Sequence, residues 1–414
     1  MSTVSPTRAD ALALDAADPL GAFTSRFEKA EGVVAYFDGN SLGRPVAGTP
    51  EALANFVRGE WGTRLIRRWD ESWMRWPEEL GDLVGKTALG AACGQTVVAD
   101  STTVLLYKLL RALADHQLLM DPRRTEIVVD TDNFPTDRYV AEGVAAERGM
   151  TLRWIETDTA TGVTTQQVAD VVGPRTAVVL LSHVSYRSAW IADAQTITKV
   201  VHRAGAMVLW DTSHSVGSIP ICADAWGWDA AVGCAYKYLN GGPGAPAHAY
   251  LAGRLHGIPT LSQPIQGWMG RRDPFLMEQG YRPEAGVRSL VSGTPPIISM
   301  VPVRLGVQLL AEAGIKAVRA KSLRLTDLAW AIVESWPADL GVQVASPREH
   351  LRRGGHLTLR HEGFDEIVHR LWRRGVIPDF RRPDGLRIGL SPLSTTFAEV
   401  WDGLAVVREE LARH

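Results

Sequence analysis

The chain carries a series of short, uninterrupted apolar and β-branched runs, and they limit its fold more than any other feature. They fall at Glu126–Asp130, 152–155, 177–181, 207–210, Ala230–Gly233 and Ala247–Leu251. Helical patterns separate most of them, for example residues 194–204. A strand with one wet face alternates apolar and polar residues. A continuous run predicts burial on both faces, hence a mostly parallel α/β sheet flanked by helices. In open sheets of this kind, ligands sit beyond the carboxyl ends of the strands. Ser182, Asp211 and Lys237 all fall at such ends.

The rest of the chain divides around this region. Residues 1–50 predict an N-terminal arm packing with a small domain, and residues 51–293 a large domain. Residues 294–414 predict a smaller C-terminal α+β domain. The segment 51–76 has a helical pattern rich in tryptophan (Trp61, Trp69, Trp73, Trp76). Beyond Pro295-Pro296, helices are predicted over Ile297–Ala313 and 318–336. Strand–helix–strand signals follow at His356–Arg360, 364–374 and 386–390, with Gly354-Gly355 and Pro383-Asp384-Gly385 as turns.

Composition narrows the partners. The chain has 414 residues, 45% hydrophobic and 22% charged, with a formal net charge of -2. That balance gives no electrostatic case for nucleic acid or an anionic membrane surface. Cys93, Cys222 and Cys234 show neither CxxC nor metal-ligand spacing. The polar, acid-containing N-terminus does not resemble a signal or transit peptide. No apolar run approaches the roughly 18 residues of a membrane span. The expectation is a cytoplasmic enzyme without a metal.

Two of the apolar runs end in groups that complement each other. One passes into Asp211, with His214 just beyond; the other ends in Tyr236 and Lys237, before the glycine-rich segment 240–244. The chain has seven lysines, and Lys237 alone directly follows a strand-like run. A carboxylate and a lysine at neighbouring strand ends are what a pyridoxal phosphate (PLP) enzyme requires. The lysine forms the Schiff base, and the acid keeps the pyridine nitrogen protonated. Desolvation and a cationic ring both lower a lysine pKa, as imine formation needs.

Each residue also has a plainer reading. Lys237 alone would be a solvated lysine, and Asp211 a helix N-cap. His214 either orients the cofactor or satisfies a local hydrogen bond. Ser101-Thr102-Thr103 precedes a helical pattern over 104–114 and reads as an anion site or a simple cap. Phe134, in the loop Asn133-Phe134-Pro135-Thr136-Asp137, stacks on a planar ligand or fills core. Trp268, between glycines, suits packing or an interface. Arg387, inside an apolar strand, meets a substrate carboxylate or a structural acid.

Taken together these residues resemble kynureninases, PLP enzymes of fold type I in the aspartate aminotransferase superfamily, over nearly the whole chain. The marks are YFDGNSLG (36–43), NFPTD (133–137), SHVSYR (182–187), WDTSHS (210–215), YKYLNGGPGAP (236–246), GWMG (267–270), SGTPPI (292–297) and LRIGLSPL (386–393). YKYLNGGPG with GNSLG is the specific pair. The resemblance implies that Lys237 is the Schiff-base lysine, Asp211 the pyridinium partner and Phe134 the stacking ring. Thr102, Thr103 and Tyr236 would hold the phosphate, with Trp268 and Thr294 reaching it from the second subunit of a homodimer. Asp137, Ser182 and His214 would line the cofactor site. Arg387 would bind the substrate α-carboxylate, with Asn40 and Ser41 beside it and Trp69 and Thr294 near the aromatic ring.

The implied reaction is hydrolytic Cβ–Cγ cleavage of L-kynurenine, or a ring-substituted relative, to an anthranilate and L-alanine. Tyr236 is the candidate for proton transfer at the leaving aryl group. Ala189 and Trp190 replace a glycine and an arginine common in the family, Thr212-Ser213 stands in WDTSHS where WDLAHS is usual, and Ser394 stands where PLY has tyrosine. These departures leave open a modified kynurenine from a secondary-metabolite pathway. A cysteine desulfurase or selenocysteine lyase would need a persulfide cysteine late in the chain, and none follows Cys234.

Overall fold

The buried runs become a seven-stranded sheet in the computed structural model, which describes residues 5–414; the first four residues of the expected arm lie outside it. The strands, in chain order, are β1 (Ala35–Phe37), β2 (Thr96–Ala99), β3 (Glu126–Asp130), β4 (Thr151–Ile155), β5 (Thr176–Ser182), β6 (Met207–Asp211), β7 (Ala230–Gly233) and β8 (Ala247–Leu251). The large sheet has the order β2-β8-β7-β6-β5-β3-β4. From β4 to β7 every neighbour is parallel, while β8 is antiparallel to both β7 and β2. Every residue of β3, β6, β7 and β8 is buried, as their continuous apolar character requires.

Register sets the site. Ser182, the last residue of β5, lies directly opposite Asp211, the last of β6. β7 stops at Gly233, so Lys237 sits in the turn that follows rather than at the strand's last position. The helix Thr102–Met120 begins beside these ends. Ser101 caps it by accepting from the Val104 N–H, and Asp100 enters it in the left-handed region at φ 42°. Lys108, buried within that helix, holds Asp100 through a 2.6 Å ion pair.

A second sheet stands over the carboxyl ends. It adds β9 (Gln343–Val344), β10 (His356–Arg360), β11 (Val376–Arg381) and β12 (Gly385–Gly389), in the order β1-β11-β12-β10-β9. β1 pairs in parallel with β11, joining the N-terminal segment to this sheet. Its core includes Phe37, Leu325, Ile332, Phe364, Ile388 and Leu404. The helix Ile297–Ala313 packs instead into the core of the large sheet, through Met300, Val307 and Leu310.

The tryptophan-rich stretch is not one helix. It breaks into Thr49–Asn55, a widened turn at Phe56–Arg64 and several single turns, with Leu65 at φ 54°. Gly59 and Gly62 lie in the widened turn, where glycine weakens an α-helix. Phe56, Trp73 and Trp76 still pack together in the core. Among the described residues, no single helix is long and apolar enough to cross a membrane.

Candidate active site

The loop carrying Lys237 is clasped by the segment 36–43. The Gly43 N–H donates to the Tyr236 carbonyl at 2.8 Å, and the Asn240 side chain donates to the Arg44 carbonyl at 3.0 Å. Gly43 permits this approach, because a Cβ there would lie 2.9 Å from Asn240 Cα and closer still to the Lys237 carbonyl oxygen. GNSLG and YKYLNGG are thus two halves of one contact.

Lys237 is 7% exposed, and its Nζ lies 2.9 Å from His214 Nε2. The same amine sits 5.7 Å from the Phe134 ring centre and 5.8 Å from that of Tyr236. They border a cavity of about 150 Å³ that also meets Thr102, Thr103, Asp137, Ser182, Asp211 and Ser213. The nine residues expected to hold the cofactor from within one chain therefore converge. Tyr186 also lines the cavity and was missed as a site residue. Its ring stands edge-on to Phe134 at 5.4 Å, and its signal was its place in SHVSYR, just beyond a strand end.

Polar contacts fix this arrangement. Ser182 Oγ donates to Asn133 Oδ1 at 2.7 Å, and the same oxygen accepts from the Phe134 N–H at 2.8 Å, which sets the aromatic loop. Asp211 accepts from the Ser213 N–H at 2.7 Å. Burial, and then the neighbouring Asp211 and Asp130, hold the Asp137 carboxyl well above the usual carboxylate range. Burial first, then Lys237, Arg387 and His356, keeps His214 neutral. Burial and Cys234 push the Tyr236 phenol up, so it keeps its proton.

Arg387, Asn40 and Ser41 form an adjoining cluster rather than part of the cavity wall. Arg387 donates to Asp379 (2.7 Å from Nε), the Tyr186 carbonyl (2.8 Å) and Ser41 Oγ (2.6 Å). The structural ion pair is thus present, and the guanidinium also holds the backbone of Tyr186, a cavity residue. Burial pushes the nearby Asp38 carboxyl up to about 6. Asn40 is fully buried and its amide has no partner among the described residues. Trp69, Trp268 and Thr294 do not border the Lys237 cavity in the single chain. Trp69 packs edge-on to Trp73 and Trp268 to Phe275, while Thr294 is exposed.

The departures from the family motifs sort by position. Ala189 holds φ 63°, the left-handed region that favours glycine. Thr212 donates to the Val232 carbonyl and faces His248, away from the cavity, while Ser213 borders it. Trp190 lines a separate small cavity with Asp130, Asn133 and Ser182, and Ser394 is buried elsewhere.

This set suits one kind of group. A buried amine, an aromatic face, a strand-end carboxylate and a hydroxyl-bearing helix N-terminus surround one cavity. Buried Asp137 Oδ2 and His214 Nδ1 lack protein partners. These donors fit a planar pyridine aldehyde bearing a phosphate.

The fold agrees. The chain is similar to a cysteine desulfurase from Thermococcus onnurineus NA1, with a TM-score of 0.78 and 18% identity over 92% of this chain and 95% of that one. It is also similar to a C-DES mutant with glycine covalently linked to its PLP cofactor, with a TM-score of 0.79 and 17% identity over 98% and 100%. The architecture is that of the PLP-dependent enzymes of fold type I. Sequence narrows the class. Kynureninases of Pseudomonas fluorescens and Burkholderia pseudomallei (strain 1106a) are each 40% identical over 98% of this chain, covering 96% and 95% of their own lengths. The kynureninase C-terminal domain model matches residues 318–407. The chain belongs to the kynureninase family.

Proposed function

We propose that the protein binds PLP in the Lys237 cavity and hydrolyses the Cβ–Cγ bond of L-kynurenine, giving anthranilate and L-alanine. The observation that carries this reading is the buried Lys237 amine, bordered by Phe134, Asp211 and Tyr236 in one cavity of a kynureninase-family chain.

PLP, when bound, holds the amino acid and delocalises negative charge from its α-carbon. Lys237 anchors the cofactor and moves the α-proton; its place against neutral His214 gives the amine a hydrogen-bond acceptor. Asp211, at the end of β6, would hold the proton of the pyridine nitrogen, and Phe134 would supply an aromatic face to the cofactor. Ser101, Thr102 and Thr103, at the start of their helix, receive the phosphate. Tyr236, its phenol held protonated at neutral pH, moves a proton at the leaving aryl group, where water adds to the γ-carbonyl carbon. The substrate carboxylate meets Arg387 by displacing Ser41 Oγ or sharing the guanidinium with Asp379.

Trp69 and Thr294 supply no polar pair for reading a ring 3-hydroxyl, so kynurenine is expected to outperform 3-hydroxykynurenine in kcat/KM. A cytoplasmic homodimer completes the reading. Exposed apolar side chains at Trp61, Leu65, Ile66 and Phe275–Met277 (275–277) support a partner surface, and Trp268 and Thr294 lie outside their own chain's cavity. The test is purified protein with PLP and kynurenine, read by anthranilate release. No product, with turnover of a different amino acid, would overturn the substrate assignment.

A further inference from the structure

We infer that His356 is a positioning residue for the catalytic lysine: it fixes the tautomer of His214, so that an unprotonated Nε2 faces Lys237 Nζ. The inference rests on the role of Lys237 given above, and its first measurement stands apart from that role.

The argument follows the protons. A lysine ammonium donates and never accepts. With Lys237 Nζ 2.9 Å from His214 Nε2, that nitrogen is the acceptor, and the single proton of the neutral ring lies on Nδ1. His214 Nδ1 is buried and has no protein partner. His356, the first residue of β10, is fully buried, with its ring centre 5.7 Å from that of His214 and tilted by 57°. Its Nε2 lies 3.3 Å from the Arg187 carbonyl oxygen. A carbonyl accepts, so His356 carries its proton on Nε2 and a lone pair on Nδ1, which is also buried and unpartnered.

The two rings therefore present complementary unsatisfied atoms: an N–H on His214 and a lone pair on His356. The two nitrogens are not bonded to each other, and one bridging water, accepting from His214 and donating to His356, satisfies both and transmits that sense. The Arg187 carbonyl orients His356, His356 orients His214, and His214 receives Lys237. Burial pushes His356 down to about 3, which keeps it neutral and able to play this part.

The fold gives a reason for the placement. The Arg187 carbonyl also accepts from Thr358 Oγ1, one inward position along β10. Thr358 lies opposite Arg387 in the β10–β12 pair, and His356 opposite Gly389. The small sheet thus brings its arginine and its tautomer-setting histidine to the lysine through one strand pair. The plain alternative is that His356 only fills space between the sheets.

Two measurements separate these. The first is histidine-selective 15N NMR of the enzyme before PLP is added, when the Lys237 amine is free, assigned with His356→Gln and His356→Leu. The expected result is a proton on Nδ1 of His214 and on Nε2 of His356. A wild-type His214 protonated on Nε2 would overturn the inference, whatever substrate the enzyme accepts. The second is kinetic. His356→Leu should mix the His214 tautomers and lower kcat on the order of 10- to 100-fold with little change in KM. His356→Gln should restore most of it, because its amide donates to the Arg187 carbonyl while its oxygen accepts from His214 Nδ1. A Leu variant with the wild-type tautomer, or Gln and Leu variants equally impaired, would reduce His356 to packing. If the Leu variant fails to fold, the wild-type tautomer and the activity of the Gln variant decide.

Discussion

Replacing Asp130 with asparagine should make the protein more stable near neutral pH, by an amount that depends on pH in a defined way. Asp130 closes β3 and is 5% exposed. Burial, and then the charge of Asp132, raises its carboxyl from 3.8 to about 7. The folded chain thus favours the neutral acid, whereas the unfolded chain ionises near 3.8. The stability tied to the neutral form is complete below pH 3.8 and is lost as pH rises through about 7. The loss runs at about 1.4 kcal/mol per pH unit, or about 4 kcal/mol in all. Asparagine keeps the shape and an acceptor oxygen but does not titrate. The advantage of Asp130→Asn over wild type should therefore grow by about 2 kcal/mol between pH 5 and pH 7 and level off above about pH 8. Urea unfolding followed by tryptophan fluorescence, at one protein concentration and saturating PLP, measures the difference. Contributions from cofactor and assembly that are common to both proteins cancel. A difference that does not change with pH, or that shrinks as pH rises, would refute the reasoning.

Three further substitutions probe the site. Lys237→Ala should lower kcat by more than about 10⁴-fold and abolish the cofactor–lysine absorbance, with the thermal midpoint little changed; a drop under 100-fold would remove Lys237 from the chemistry. Phe134→Ala removes the ring lying between Tyr186 and the Lys237 amine. PLP should bind about tenfold more weakly, measured by equilibrium dialysis, and unchanged binding would show that the ring does not stack. Gly43→Ala drives a Cβ into backbone atoms of Lys237 and Asn240. It should cost about 1–3 kcal/mol in unfolding and lower kcat/KM at least tenfold, because the clasp and the lysine turn move together. Full activity in that variant would show the clasp to be dispensable.

Legibility in the sequence tracked burial. β3, β7, β8 and β10 match the expected bounds residue for residue; β7 has no polar interruption, while β8 and β10 carry the buried His248 and Thr358. β2, Thr96–Ala99, is as short as β7 and joins the sheet antiparallel to β8, and β11 mixes Pro378, Asp379 and Arg381 into VIPDFR. β11 carries no continuous run, and only pairing with its neighbours reveals it. The tryptophan-rich stretch had helical spacing, yet its glycines and Leu65 break the backbone. Spacing alone could not weigh that against aromatic packing. Within the site, Ser182 and Asp211 were legible because register aligns strand ends, and Lys237 because so few lysines follow a run. The partners of Arg387 were not, since Asp379, Ser41 and Tyr186 come from three distant segments.

Tyr186 shows what that gap conceals. Its ring packs against Phe134, whose face looks into the cavity, while its backbone carbonyl takes one arm of Arg387 from the other sheet. The Phe134 side of the Lys237 cavity and the Arg387 guanidinium, proposed to receive the carboxylate, are therefore joined through one buried residue just beyond β5. The neighbouring departures support this division of labour. Ala189 retains the left-handed turn that glycine would adopt more easily, and the Gly354 N–H donates to its carbonyl at 2.7 Å. Thr212 is tied to β7 and His248. Of the altered positions Ala189, Trp190, Thr212, Ser213 and Ser394, Ser213 alone borders the Lys237 cavity, and its backbone N–H is committed to Asp211. The altered residues thus hold the frame around Tyr186 and Asp211. Among these altered residues, Ser213 is therefore the one placed to change what the Lys237 cavity accepts.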